Sequence, residues 1–294
     1  MLQPYGIIPA MVTPLTQQDE LNELALRNLT NFLVKNGVHG LFVTGSQGEF
    51  WAFSAEEKKR AWEIVVEEAD GRVPVYAGTA AVTTREAIAL TQLAEKVGVD
   101  AVSVLTPFFI NPNPDELYEH YRAIAAATNL PVLLYTNPDR TNVKISSALL
   151  SKLSKIDNIV GIKDSSGDLT LTTEYLSSVP EDFSIVMGRD TLIFAGLLHG
   201  AKGAIAATAN VVPALVVSIY EYFKQNDLKA SLQAQEALAP LRMAFTWGTF
   251  PVVIKEALDL IGLDGGPSRA PIGAMTPAQR ERLKNLLIEL KMIQ

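Results

Sequence analysis

Three places in this chain combine side-chain type and spacing in a way that suggests covalent chemistry: a lysine, a tyrosine and a glycine-flanked turn. Lys163 closes the apolar, strand-like run Ile159-Val160-Gly161-Ile162. An amine pressed against apolar surroundings loses hydration of its ammonium form, and the uncharged amine that is favoured instead attacks carbonyl carbon to form a Schiff base. Tyr135 ends Val132-Leu133-Leu134 in the same manner. Carbinolamine formation and dehydration each require a proton to move, and a phenol held close can donate it and take it back. Thr44-Gly45-Ser46-Gln47-Gly48-Glu49 offers backbone N–H groups and the Ser46 hydroxyl to a carboxylate. Each feature alone has a plainer reading: a solvated lysine, a core aromatic with its hydroxyl at the rim, an ordinary tight turn. Their weight comes from falling on one face of one fold.

That fold follows from the pattern of elements. Eight short apolar, β-branched runs read as strands: Ile7 to Val12, Gly40 to Val43, Val75 to Gly78, Ala101 to Leu105, Val132 to Tyr135, Ile159 to Lys163, Ser184 to Met187 and Gly203 to Ala206. Helical patterns separate them: Leu21 to Asn36, Ala55 to Ala69, Arg85 to Val97, Asp115 to Thr128, Ser146 to Lys155, Thr170 to Ser178 and Thr191 to Leu198, with Ser54 and Glu57 spaced as a capping box. Alternation at this spacing implies an α/β protein with a parallel sheet, and eight units imply a closed (β/α)8 TIM barrel over an open doubly wound sheet. Further helical stretches follow, from Pro213 to Lys224, from Leu228 to Gly262 with a break near Gly248 and Pro251, and from Thr276 to Lys291. The reading is therefore a barrel over residues 1–224 and an appended helical region over 225–294. Barrel enzymes work at the C-terminal ends of their strands, and the amine, the phenol and the anion cradle all fall there.

Composition narrows the function further. With 294 residues, 48% hydrophobic and 19% charged, the chain can bury a large core. A formal net charge of −7 gives no basic surface for nucleic acid. Cysteine is absent, so disulfides and thiol chemistry play no part, and a cytoplasmic setting is expected. Residues 1–15 lack a basic leader and a cleavage signal, while Lys202 and Pro213 interrupt the most apolar stretch, so neither export nor a membrane span is read. His39, His120 and His199 lack metal-ligand spacing and read as structural or surface residues; no metal or cofactor is expected. Of the competing lysines, Lys202 lies before strand eight at the wrong face, and Lys255 sits in a polar-apolar helical pattern that suggests a solvated or interface position.

The chain resembles the pyruvate-dependent class I aldolase superfamily that contains dihydrodipicolinate synthase, N-acetylneuraminate lyase and the 2-keto-3-deoxygluconate aldolases. The resemblance runs from Gly6-Ile7-Ile8-Pro9-Ala10 through the Gly45-Ser46-Gln47-Gly48-Glu49 turn, Ala77-Gly78-Thr79, Thr106-Pro107-Phe108-Phe109, Leu134-Tyr135, Gly161-Ile162-Lys163-Asp164 and Gly203-Ala204-Ile205 to Ala209-Asn210. It implies a barrel with extra C-terminal helices in a dimeric or tetrameric homo-oligomer. It further implies that Lys163 forms the imine with pyruvate, Tyr135 shuttles protons, Ser46 and Gln47 cradle the pyruvate carboxylate, and Ile205 lines the pocket through its backbone.

Departures from the synthase pattern set the substrate expectation. The synthases carry two threonines in the turn and a relay tyrosine where this chain has Ser46-Gln47 and Phe109, and a phenylalanine cannot pass a proton. Arg140, by contrast, matches the arginine that binds the second substrate's carboxylate in the synthases. Ser165 and Ser166 after Lys163, and Asp190 after strand seven, suit a hydroxylated acceptor chain, although serines there also serve simple turns. Ala55, Lys58 and Val82 stand where the synthases' lysine feedback site needs polar ligands. The expectation is a Schiff-base lyase or aldolase acting on a 2-keto-3-deoxy sugar acid or related 2-oxo acid, with pyruvate and an aldehyde as small-molecule partners. Condensation of pyruvate with aspartate semialdehyde, as in 4-hydroxy-tetrahydrodipicolinate synthase, is the alternative, followed by dehydration through the same imine and by a non-catalytic carboxylate-binding barrel.

Overall fold

The computed structural model describes residues 2–293. Eight parallel strands form one sheet: β1 (Gly6–Pro9), β2 (Leu41–Val43), β3 (Val75–Gly78), β4 (Ala101–Leu105), β5 (Val132–Thr136), β6 (Ile159–Asp164), β7 (Ser184–Met187) and β8 (Gly203–Ala206), with β1 paired to β8 and the rest in sequence order. Ala10 bridges Phe42 in parallel, and the Met11 N–H donates to the Phe42 carbonyl at 2.9 Å, which brings β1 to β2 and closes the barrel. The eight expected strands are all present, with bounds that differ by a few residues at most.

Alternation along each strand sorts side chains into two cores. Ile8, Phe42, Tyr76, Ala101, Leu133, Val186 and Ile205 point inward and fill the barrel as one cluster. Ile7, Val43, Ala77, Val102, Leu134, Ile185 and Ala204 point outward into a larger cluster shared with the surrounding helices. Those helices are α1 (Glu23–Lys35), α2 (Ala55–Ala69), α3 (Thr84–Val97), α4 (Pro114–Ala125), a short α5 (Pro138–Thr141), α6 (Ser147–Leu153), α7 (Leu169–Ser178) and α8 (Ile193–His199). At α2 the Ser54 and Glu57 side chains exchange hydrogen bonds with each other's backbone N–H, completing the expected capping box.

Strand β6 breaks the alternation, and the break positions Lys163. Val132 pairs with Ile159 but Leu133 pairs with Gly161, so Val160 is an extra residue opposite β5. Ile159 and Ile162 both lie in the outer cluster, three residues apart where a regular strand would repeat every two. The bulge reverses the facing of everything after it, and Lys163 points into the barrel as a result.

Helix α9 (Pro213–Lys224) follows β8 and packs on α8 and β1, completing the ring, and beyond the barrel come α10 (Leu228–Met243), α11 (Val252–Leu260) and α12 (Pro277–Glu289). The break expected within residues 228–262 is present: α10 ends at Met243, and α11 begins directly after Pro251. The segment between them reaches the C-terminal rim of the barrel, where Phe245, Thr246 and Phe250 join the wall of the central cavity. Among the described residues, no single helix is long and apolar enough to cross a membrane.

Candidate active site

A cavity of about 350 Å³ opens at the C-terminal ends of the strands, and Lys163, Tyr135, Ser46, Gln47, Arg140, Ser165, Asp190 and Ile205 all line it. These eight residues singled out in the sequence are therefore brought to one place, although not every side chain offers what was expected of it. Lys163 and Tyr135 are register partners on adjacent strands, so the parallel ladder itself sets amine against phenol. Both are nearly enclosed, at 4% exposure. The Lys163 Nζ stands 4.2 Å from the Tyr135 ring centroid and 5.0 Å from that of Phe42, between two electron-rich faces that favour a cationic nitrogen.

The Tyr135 hydroxyl sits in a small polar network. Asn137 Nδ2 donates to it at 3.1 Å, and the Ser46 hydroxyl lies 3.4 Å away. Burial pushes the phenol pKa up, but the Lys163 charge and hydrogen bonds from Ser46, Asn137 and Ser165 outweigh it and hold the pKa below the ordinary tyrosine value. Such a phenol gives up its proton more readily than a free one.

The anion cradle is stiff. Thr44 opens the turn in the left-handed region at φ 52°, an unfavourable place for a β-branched residue. Trp62 Nε1 donates to its hydroxyl at 2.7 Å, and Gly78 gives it room: a Cβ there would lie 2.2 Å from the Thr44 carbonyl oxygen. Glu49 closes the turn, also left-handed at φ 54°, and is fully buried. Its partner is Lys255, whose Nζ donates to Glu49 Oε1 and to the Pro267 carbonyl, each at 2.7 Å. Lys255 is thus neither solvated nor at an interface, as its helical pattern suggested; it is 0% exposed, and burial holds its pKa below the usual lysine value against the opposing pull of Glu49. Within the turn, the Gln47 amide is 3% exposed, lines the cavity and has no hydrogen-bond partner on either polar atom among the described residues. An enclosed amide left unpaired costs about 1–3 kcal/mol, and a bound carboxylate would accept from its Nε2 and relieve the donor's share.

Two expectations for the acceptor side need correction. The Asp190 carboxylate is already engaged, since Oδ2 accepts from the Thr208 N–H at 2.7 Å and hydroxyl at 2.6 Å, and Oδ1 from the Ala207 N–H at 3.3 Å. It ties the end of β7 to the loop after β8 and has little capacity left for substrate hydroxyls. Ser166 lies outside the cavity wall; its N–H donates to Asp164 Oδ1 and its Oγ accepts from the Asp168 N–H, so it builds a turn. Ser165 does face the cavity, and its hydroxyl helps depress the Tyr135 pKa. Arg140 is carried by the one-turn α5. Phe109, at φ 73° and 96% exposed, lies away from the cavity wall.

Several wall residues escaped the sequence reading. Asn137 was within reach, because it follows Tyr135 by two positions and such residues share a face along a strand. Arg189, directly beyond β7, donates from Nε to the Ser165 carbonyl at 2.9 Å and pairs with Asp139. Arg242, Phe245 and Phe250 come from the helical region, and no strand register predicts where they land.

Comparison with known proteins agrees with this geometry. The model of the dihydrodipicolinate synthetase family matches residues 3–290. The 4-hydroxy-tetrahydrodipicolinate synthase of Desulforudis audaxviator is 37% identical over 98% of both chains, and that of Methanopyrus kandleri 36% identical over 99% of this chain and 98% of its own. Among solved structures, dihydrodipicolinate synthase from Aquifex aeolicus superposes with a TM-score of 0.95 at 32% identity, covering 98% of this chain and 99% of the other. YagE from Escherichia coli, a prophage protein of the dihydrodipicolinic acid synthase family solved in complex with pyruvate, superposes with the same TM-score of 0.95 at 31% identity and the same coverage.

Proposed function

The chain belongs to the dihydrodipicolinate synthetase family, whose members are class I lyases that work on carbon–carbon bonds through a lysine Schiff base, and from that premise we propose that it condenses pyruvate with an aldehyde at the Lys163–Tyr135 pair. The observation that carries the reading is the enclosed amine registered opposite a phenol of lowered pKa at the cavity floor.

Ser46 and the unpaired Gln47 amide receive the pyruvate carboxylate, which sets C2 in front of the Lys163 Nζ. The neutral amine adds to C2. Tyr135 supplies the proton with which the carbinolamine hydroxyl leaves as water, and the resulting iminium lies between the Tyr135 and Phe42 rings that favour its charge. The Tyr135 phenolate takes a proton from the methyl carbon to give the enamine, whose carbon attacks the aldehyde; Tyr135 passes that proton to the new alkoxide, and hydrolysis of the product iminium by water returns a proton to the phenolate and restores the amine. With Phe109 bringing no hydroxyl, Ser46, Ser165 and Asn137 supply the polar surroundings through which Tyr135 recovers its proton.

For the aldehyde, aspartate semialdehyde is the acceptor supported by relatives named 4-hydroxy-tetrahydrodipicolinate synthase, and Arg140 at the cavity wall offers a partner for its carboxylate. This places the synthase reading above the sugar-acid aldolase reading that the sequence suggested first. Phe109 and Gln47 at the positions of a relay tyrosine and a cradle threonine favour the aldolase as the second reading. Borohydride reduction with pyruvate should add the mass of the reduced adduct at Lys163 and fail in Lys163→Arg. Assays of pyruvate with aspartate semialdehyde and with glyceraldehyde then decide the ranking; faster turnover of glyceraldehyde would reverse it.

A further inference from the structure

Two guanidiniums at the cavity wall share one unusual arrangement. Arg140 lies over the Phe250 ring with Cζ 4.7 Å from the centroid, and Arg242, in the last turn of α10, lies over the Phe245 ring at the same 4.7 Å. All four residues line the cavity. Stacking on an aromatic face fixes the plane of a guanidinium while leaving its in-plane N–H donors unspent, the geometry that takes a carboxylate or phosphate in a two-pronged grip. Nothing in the protein uses those donors, since among the described residues neither guanidinium has a side-chain hydrogen-bond or ion-pair partner. The other charged groups of the wall are committed. Arg189 holds the Ser165 carbonyl and Asp139, Asp190 holds Thr208, and Lys163 sits at the floor beside Tyr135. An acidic protein of net charge −7 thus keeps two free cations at the entrance to its reaction chamber.

We propose that Arg242 is a specificity-determining residue, which with Arg140 clamps a terminal oxyanion of the acceptor aldehyde, either carboxylate or phosphate. The clamp lies at the mouth and the nucleophile at the floor, so the acceptor's charged end stays outward while its carbonyl meets the enamine. This inference rests on the pyruvate reading for the chemistry but not for the binding of the anion.

The test compares the wild type with Arg242→Ala and Arg242→Lys. Homoserine and glycerol 3-phosphate, unreactive analogues of two charged acceptors, are titrated by calorimetry, and kcat and KM are measured for pyruvate with aspartate semialdehyde, glyceraldehyde 3-phosphate and neutral glyceraldehyde. Loss of a charge-assisted grip should weaken analogue binding about 10- to 100-fold in Arg242→Ala and lower the preference for charged over neutral acceptor by a similar factor, through KM more than kcat. Lysine should restore phosphate binding better than carboxylate binding, because it supplies a point charge without the fork. An effect confined to one analogue identifies which oxyanion the clamp serves. Unchanged binding of both analogues, or equal losses for charged and neutral acceptors, would overturn the proposal. Failure of borohydride capture in the wild type would instead overturn the pyruvate reading, while the titrations still decide the clamp.

Discussion

Tyr135 shows how far one side chain depends on its neighbours. Its pKa is lowered because Lys163, Ser46, Asn137 and Ser165 together outweigh its burial, so removing a donor must raise it. Asn137→Ala should therefore move the alkaline limb of kcat, where the phenol can no longer donate, to higher pH. A pH–rate profile from 6 to about 11 would check this, and a limb unmoved or shifted downward would show that Asn137 does not tune the phenol. Tyr135→Phe keeps the ring over Lys163 but loses the proton carrier. Its kcat should fall about 100- to 1,000-fold while borohydride still captures pyruvate at Lys163, more slowly, a combination visible by mass spectrometry beside steady-state rates. Gly188 supports the same network by its lack of a side chain, since a Cβ there would lie 1.9 Å from the Ser165 Oγ. Gly188→Ala should displace that hydroxyl and move the alkaline limb in the same direction as Asn137→Ala.

At the scale of elements, the bulge in β6 and the turn after β2 decide whether those side chains meet. Val160 is the extra residue that the bulge takes up, so deleting it would leave a regular strand that still holds Lys163 opposite Tyr135, whereas a residue inserted between Ile162 and Lys163 would turn the amine out towards the helices. The deletion should keep pyruvate capture at Lys163, and the insertion should lose it even where circular dichroism shows a folded barrel. The Glu49–Lys255 pair fixes the end of the cradle, and Lys255→Met leaves a carboxylate buried without its cation. A loss of about 3–5 kcal/mol in urea unfolding is expected, with a raised KM for pyruvate as the turn loosens; a second change, Glu49→Gln, should recover part of the stability. Sequence periodicity made the eight strands and the convergence of Lys163, Tyr135 and Ser46 legible, because strand-end residues of a parallel barrel must share a face. It did not disclose the bulge, since Ile-Val-Gly-Ile reads as an apolar strand on either facing. Nor did it place Lys255, whose helical pattern resembles a solvated face while its partner lies far away in sequence. Arg242 and Phe250 were hidden for a related reason, since their position depends on how two helices pack over a rim.

For the whole molecule, acid stability tests how the parts are tied together. Arg269, near the C-terminal end of the chain, pairs with Glu57 at the start of α2 and with Asp19 before α1, so one guanidinium joins three separate segments. That pairing pulls the Glu57 pKa from 4.5 to about 2, against a smaller upward push from burial. His120, 6% exposed on α4, is pushed the other way from its preferred charged state, as burial lowers its pKa from 6.5 to about 4. Both folded-state values lie below the unfolded ones, so each group contributes stability at neutral pH that is lost as the unfolded chain takes up protons first. The windows are consecutive: pH 6.5 down to about 4 for His120 and pH 4.5 down to about 2 for Glu57. The His120 window should remove about 3 kcal/mol, and the Glu57 window ~1–2 kcal/mol once water screening of its partly exposed carboxylate is discounted. Urea unfolding at pH 7, 5 and 3 should show a two-stage decline. His120→Gln should flatten the first stage alone and Glu57→Gln the second alone; a His120→Gln protein that still loses stability between pH 7 and 5 as steeply as the wild type would exclude the buried imidazole as the origin of the first stage.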